Sequence, residues 1–365
     1  MPSASPIRVG LIGVGWGSAV QVPAFRLVPE FDVVALCARR PERVEAAGER
    51  LGIPDVSTDW ESFVRRDDLD VISICSPVDM HHGQTLAALN ARKHVLVEKP
   101  VGLDGTQTGE MLEAAEGAGV CHAVCFENRW EPSRARMCEL VREGQLGQPY
   151  YAAARSGGDF WHPTRGLQSE WMYRRDRGGG YLMGMGSHDL DYLCTLFGEP
   201  QSVCADVRTS VPSRLREDGG LLEVDADDTS AVLLRMENGM LVTVTVTAIA
   251  LAQSFRSIEI FGSTGSLGIG GALMGDETPV VRITSVGGSD PVDEIAAVRE
   301  PRSGGEIPQR RAGAAIRSLA LMLEDWLPAF SRQPSTAPTL FDGHRVQRIV
   351  DAARRSSDGA GWVSL

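Results

Sequence analysis

The first third of the chain alternates short apolar runs with longer stretches in which apolar residues return every three or four positions. Residues 7–12, 33–37, 71–75, 94–97 and 120–124 read as strands buried on both faces. The stretches between them, 19–27, 41–51, 83–91 and 106–118, carry the helical period. Pro41 suits the first turn of its helix and Gly52 the position just past its end. Strand following helix in this order predicts a parallel, doubly wound sheet.

The texture changes near residue 126. Residues 132–143 read as a helix, 150–155 as a strand, and 182–196 as a helix that follows the run Gly178, Gly179, Gly180. From residue 229 apolar and polar positions alternate through 229–235, a tight Asn238-Gly239 turn, 240–248 and 257–261, which predicts an antiparallel meander. Residues 312–329 and 342–355 read as closing helices joined by a Pro-containing loop at 333–338. The Gly-, Pro- and charge-rich stretch 268–310 reads as irregular excursions around further strands.

Composition narrows the class. With 365 residues the chain is about twice a usual domain, and 43% hydrophobic against 23% charged residues excludes wholesale disorder. The formal charge of −12 argues against nucleic acid and anionic membrane as partners. Seven cysteines stand without a CxxC pair or zinc spacing, so buried free thiols in a reducing compartment are expected and a metal site is not. Residues 1–6 lack the pattern of a secretory leader, and the longest apolar segment, 241–252, is too short to span a bilayer. A cytoplasmic protein is the expectation.

Directly after the first apolar run comes Gly13-Val14-Gly15-Trp16-Gly17-Ser18. In a dinucleotide fingerprint the first glycine makes the turn, the second admits the pyrophosphate and the third allows close strand–helix packing. Ser18 takes the third place, and the helix start still offers backbone donors to phosphate. The acidic residue that grips the ribose of NAD should follow the second strand, yet that strand ends in Ala38, Arg39 and Arg40, while Asp32 lies at its opposite end. A guanidinium there suits a 2′-phosphate, which favours NADP over NAD; the alternative is that both arginines are solvated helix-entry charges.

The fifth strand runs into Glu98-Lys99-Pro100. Ligands of an open α/β sheet lie beyond the carboxyl ends of its strands, where Lys99 can hydrogen-bond a substrate hydroxyl. The sequence here resembles the glucose-fructose oxidoreductase, inositol dehydrogenase and MocA (Gfo/Idh/MocA) family. Besides the Gly13 loop, the matches are Ser76-Pro77 with His81, Glu98-Lys99-Pro100, Asn128-Arg129 with Pro132, Gly178-Gly179-Gly180 with Gly186-Ser187-His188, and the Asn238-Gly239 turn.

The resemblance implies an α/β fold of two parts. These are a dinucleotide-binding Rossmann domain, residues 1–126, and an α+β domain, residues 127–365, that binds substrate and oligomerises through a large, mainly antiparallel sheet. It implies a homo-oligomer, dimer or tetramer, that moves a hydride between NAD(P) and a carbon of a sugar, cyclitol or related polyol. Position by position, it implies that Lys99 stands between cofactor and substrate, with Glu98 in the same motif. Ser76, Pro77 and His81 line the nicotinamide side, Arg129 falls near the domain junction, and His188 serves as acid or base.

One position departs from the family. An aspartate commonly stands four residues before the histidine, and here that residue is Gly184. Asp191 is an alternative orienting partner or a helix-packing carboxylate, and Tyr181 is another candidate proton donor. The aromatic stretches around Trp161, His162, Trp171 and Tyr173 suit a sugar ring, or equally the packing of an interface. The competing readings are a redox-neutral lyase or glycosidase with retained cofactor, and a non-catalytic NADP(H) sensor.

Overall fold

The computed structural model describes residues 5–365 apart from 217, 252, 272–279, 287–289, 306 and 308–310. The expectations for residues 1–4 and for those parts of 268–310 therefore lie outside the described residues. The chain packs into two compact units, Met1–Trp130 with Arg299–Arg345, and Glu131–Val298 with Val346–Leu365.

In the first unit β1 (Ile7–Ile12), β2 (Phe31–Cys37), β3 (Val56–Ser57), β4 (Val71–Ile74), β5 (His94–Val97) and β6 (His122–Val124) form one parallel sheet in the order β3-β2-β1-β4-β5-β6. This is the doubly wound order, with its switch point between β1 and β4. All four residues of β4 and the last three of β5 are buried, hence their apolar sequences, interrupted only by Ser73. The connecting helices are α1 (Val22–Arg26), α2 (Pro41–Leu51), α3 (Trp60–Phe63), α4 (Val78–Asn90) and α5 (Gly105–Ala118). Pro41 lies in the first turn of α2, and Gly52 closes it in the left-handed conformation at φ 67°. Helix α4 starts at Val78, five residues before the expected 83, because Pro77 stands at its N-cap while Asp79, His81 and His82 hide the apolar period.

The helix Arg311–Phe330 belongs to this unit too. Its Trp326 stacks on Phe31 with ring centroids 6.1 Å apart and meets Phe330 edge-on at 4.8 Å. Leu319, Ala320 and Leu323 join Val20, Phe25 and Val28 in the same core. Compactness thus divides the chain differently from a cut at residue 126: residues 127–130 and 299–345 pack with the N-terminal sheet. An apolar helical stripe predicts burial but not which sheet it covers.

The second unit carries β7 (Pro149–Gly157), β8 (Pro200–Arg208), a short ribbon of β9 (Ser213–Leu215) and β10 (Leu221–Glu223), and then β11 (Thr229–Met236), β12 (Leu241–Thr247) and β13 (Phe255–Gly262). After these come β14 (Gly265–Gly271), β15 (Val280–Ser285), β16 (Val292–Ile295) and β17 (Val363–Ser364). Apart from the ribbon they make one nine-stranded sheet, ordered β16-β15-β14-β13-β7-β12-β11-β8-β17.

The predicted hairpin forms between β11 and β12, with Gly239 at φ 84° and the Asn238 side chain accepting the Met240 N–H at 3.0 Å. The predicted meander does not continue. Strand β12 pairs in parallel with β7, and β13 pairs antiparallel with the other edge of β7, so β7 separates them. Alternation tells which face of a strand is buried, whereas the neighbour is chosen by long-range pairing. Helices α6 (Pro132–Arg142) and α7 (Ser187–Phe197) pack on this sheet, α6 on β14 and β15 and α7 on β12. Among the described residues no helix is long and apolar enough to cross a membrane.

Candidate active-site residues

The glycine turn follows from what surrounds it. Gly13 has φ 104°, and a Cβ there would lie 2.2 Å from the Cys75 carbonyl oxygen, so no other residue fits. Gly15 is exposed, and a Cβ on it would meet nothing within 4 Å, which leaves its backbone open to an approaching phosphate. Gly17 packs under Leu11, where a Cβ would come within 3.0 Å, and so provides the close strand–helix contact. Ser18 is buried rather than exposed to a ligand: its hydroxyl donates to the Val14 carbonyl at 2.6 Å and accepts from Arg50 at 2.9 Å. The first helical turn, Gly17–Gln21, has no side-chain cap, so its backbone donors suit an anion. Trp16 stands 45% exposed beside them. Ala38 is half-buried at the carboxyl end of β2, and Arg39 and Arg40 are exposed there with no ion-pair partner among the described residues. The open glycine backbone, uncapped amides and solvent-facing guanidinia fit a dinucleotide.

At the end of β5, Lys99 is half-buried beside a dense polar cluster. Glu98 is buried; one carboxylate oxygen accepts the Gln21 side-chain amide at 3.0 Å and the other the Lys99 backbone N–H at 3.1 Å. Burial pushes the Glu98 carboxyl above its ordinary value, against the Lys99 ammonium and the Gln21 amide, which act to lower it. Burial also pushes up the thiols of Cys75 and Cys125, with the Glu98 and Glu127 charges adding to it.

Ser76 is half-buried and donates to Gln84 at 2.6 Å, and the exposed Pro77 starts α4. His81 is 1% exposed, its Nδ1 2.9 Å from the Pro100 carbonyl and its Nε2 2.8 Å from that of Ser76. Burial holds its imidazole below the ordinary value even with both carbonyls facing it. In this setting His81 ties the turn after β4 to the turn after Lys99. Arg129 donates to Asp342 at 2.9 Å. Burial alone would raise the Asp342 carboxyl, but Arg129, the Thr339 amide and Arg345 hold it below its ordinary value.

In the second unit His188 lies in the first turn of α7, 4% exposed, and Asp191 is fully buried one turn on. The helix is anchored by charge. Next to His188, Asp189 accepts from Arg134 of α6 at 2.5 Å and from the Ser156 hydroxyl of β7 at 3.0 Å. Arg134 is 1% exposed, contacts Glu131 at 3.2 Å and lies over the Tyr192 ring. Burial disfavours its charge, but Asp189 and Glu131 more than offset that, so the guanidinium stays protonated.

Before the helix, the buried Asp227 accepts the Leu182 N–H at 2.7 Å and the Ser230 hydroxyl at 3.2 Å. Gly180, at φ 121°, is needed there because a Cβ would lie 2.3 Å from the Asp227 carboxylate. Burial raises that carboxyl against the Leu182 amide and Arg354. Gly184 faces open space, its would-be Cβ meeting nothing within 4 Å. Neither Gln21, Arg134 nor Asp227 carries a sequence signal, since each matters through long-range burial.

The aromatic stretch divides. Trp161, Tyr173 and Tyr181 are buried against one another, with Trp161 5.0 Å from the Tyr173 ring and 5.7 Å from that of Tyr181. His162 and Trp171 are half-buried, and His162 pairs with the Thr164 hydroxyl at 2.8 Å.

A doubly wound sheet with an open glycine turn and a lysine at the end of its fifth strand defines a nicotinamide-dependent oxidoreductase class. Residues 7–126 match the oxidoreductase family with an NAD-binding Rossmann fold, and residues 135–268 match the GFO/IDH/MocA C-terminal domain. The chain belongs to the Gfo/Idh/MocA oxidoreductase family, and residues 7–126 of its first unit form an NAD-binding Rossmann domain. It is 26% identical to levoglucosan dehydrogenase of Pseudarthrobacter phenanthrenivorans over 98% of each chain. It is 25% identical to myo-inositol 2-dehydrogenase of Thermotoga maritima, over 72% of this chain and 74% of that one. A solved levoglucosan dehydrogenase, in complex with NADH and levoglucosan, superposes with a TM-score of 0.85 at 25% identity over 99% of each chain.

Proposed function

We propose that this protein is a dehydrogenase or reductase that interconverts a secondary alcohol and a ketone of a sugar, cyclitol or related polyol, with NADP as the favoured cofactor. The observation that carries this reading is Lys99, a half-buried cation at the carboxyl end of β5 in a sheet whose Gly13–Gly15 turn is open. The relatives that act on levoglucosan and myo-inositol support the substrate class. Bound nicotinamide supplies the hydride acceptor or donor. Lys99 hydrogen-bonds the reacting oxygen and stabilises the negative charge that grows there as the alcohol is oxidised. His188 exchanges the hydroxyl proton with solvent, and in reduction both act in reverse. The test is nicotinamide absorbance on mixing purified protein and either dinucleotide with a panel including levoglucosan and myo-inositol; no turnover of any polyol or keto-sugar would defeat the proposal.

The preference for NADP rests on Arg39 and Arg40, exposed beyond β2 where NAD enzymes carry a carboxylate. Replacing both, Arg39→Asp with Arg40→Ser, should weaken NADP binding by roughly 10- to 100-fold, as expected for losing a charge-assisted phosphate contact. NAD binding should change much less. Equal losses for both dinucleotides in calorimetry would remove the arginines from cofactor choice.

Open space at Gly184 makes the family aspartate easy to restore. Gly184→Asp should cost less than about 1 kcal/mol of stability. A carboxylate one turn before His188 favours imidazolium, so the histidine-dependent limb of the kcat/KM profile should move to higher pH. An unmoved limb would mean that His188 does not set it.

A further inference from the structure

The polar cluster under Lys99 contains a group that the proposed chemistry has not used. Gln21 is fully buried in the turn that follows the glycine loop. The Ser73 hydroxyl of β4 donates to its Oε1 at 2.7 Å, so its Nε2 must point the other way, 3.0 Å from Glu98 and 3.5 Å from Cys125 Sγ. Ser73 therefore fixes the orientation of the amide. With the Lys99 backbone N–H on the second oxygen, both oxygens of Glu98 face N–H donors, the pattern that suits a carboxylate and not an acid.

Resting on the function proposed above, we infer that Gln21 is a positioning residue for Lys99: locked by Ser73, it holds Glu98 as a fixed anion beneath the lysine ammonium. The charged and titratable groups acting on Glu98 are Lys99 and Cys125; the Glu98 charge also bears on the Cys75 thiol beyond β4, Glu127 acts on both thiols, and Gln21 is a neutral donor among them. Without the amide, a buried carboxylate oxygen loses a hydrogen bond, so Glu98 takes up a proton at higher pH. The ammonium then lacks its anion over the lower part of the working range. The same helical turn that follows the nucleotide loop thus sets the charge at the strand-end lysine.

The sequence offers a clean probe, because Lys93 and Lys99 are its only lysines. In protein labelled with 13C-lysine, the Lys99 methylene signal reports protonation of Glu98 beside it, and Lys93, bonded to the Leu69 carbonyl, serves as the reference. In Gln21→Met the acid inflection of the Lys99 signal should rise by about one pH unit, the value of one charge-assisted hydrogen bond. The acid limb of kcat/KM should rise with it, while Glu98→Gln should abolish the inflection. Should Gln21→Met fail to fold, Ser73→Ala, which only releases the amide, should give a smaller shift of the same sign. An inflection at the same pH in wild type, Gln21→Met and Ser73→Ala, or one that survives Glu98→Gln, overturns the inference. Failure to find any substrate would instead count against the proposed function, since the Lys99 signal is read without turnover.

Discussion

Lys99→Met is expected to lower kcat by roughly 10²- to 10⁴-fold, the range for losing a positioned donor at a developing oxyanion. The long apolar side chain replaces the lysine stem in the half-buried slot at the end of β5 while removing the ammonium. Glu98 keeps its two N–H donors, Gln21 and the backbone of residue 99, so the fold of the turn should persist. KM for a polyol and the affinity for the dinucleotide should change far less than kcat. Lys99→Arg should not restore the rate, because a planar fork presents its donors differently from a compact ammonium. Steady-state kinetics together with fluorescence titration of NADPH decide this: a kcat within a factor of about three of wild type would take Lys99 out of the chemistry.

The largest expected loss of stability is at Arg134. Arg134→Met leaves Asp189 buried opposite an apolar side chain, and breaking a buried pair in this way costs about 3–5 kcal/mol. Glu131 keeps a partner in Arg256, so the cost concentrates on Asp189. Because Asp189 is adjacent to His188 and is also held by Ser156, activity should fall along with the denaturation midpoint. The double variant Arg134→Met with Asp189→Leu should recover much of the stability, as replacing both partners removes the unpaired charge. Activity lost in the single variant but not regained in the double one would assign the anchor to orienting α7. A midpoint unchanged in Arg134→Met would refute the ion pair as an anchor.

Much of the first sheet was legible in the sequence because each of its elements announces itself locally. The buried strands are predominantly apolar, Pro41 and Gly52 bracket α2, and the glycine turn sits between a strand and a helix. The second sheet was legible only as strands. Nothing in residues 241–261 indicates that β7, some ninety residues earlier, lies between β12 and β13. The candidate chemistry shows the same limit. Lys99 and His188 stand in recognisable motifs, whereas Gln21, Arg134 and Asp227 acquire meaning only once folding buries them against a charge or an amide. The aromatic run left a sugar face and packing equally open, and only the fold shows that Trp161, Tyr173 and Tyr181 pack against one another.

The helix carrying Trp326 has a practical consequence for anyone wishing to isolate the nucleotide-binding half. Expressed alone, residues 1–130 would leave Phe25, Val28 and Phe31 facing water where that helix covers them in the intact chain. A self-standing version would need residues 299–345 spliced back on through a new linker, because this half is assembled from two distant stretches of the polypeptide.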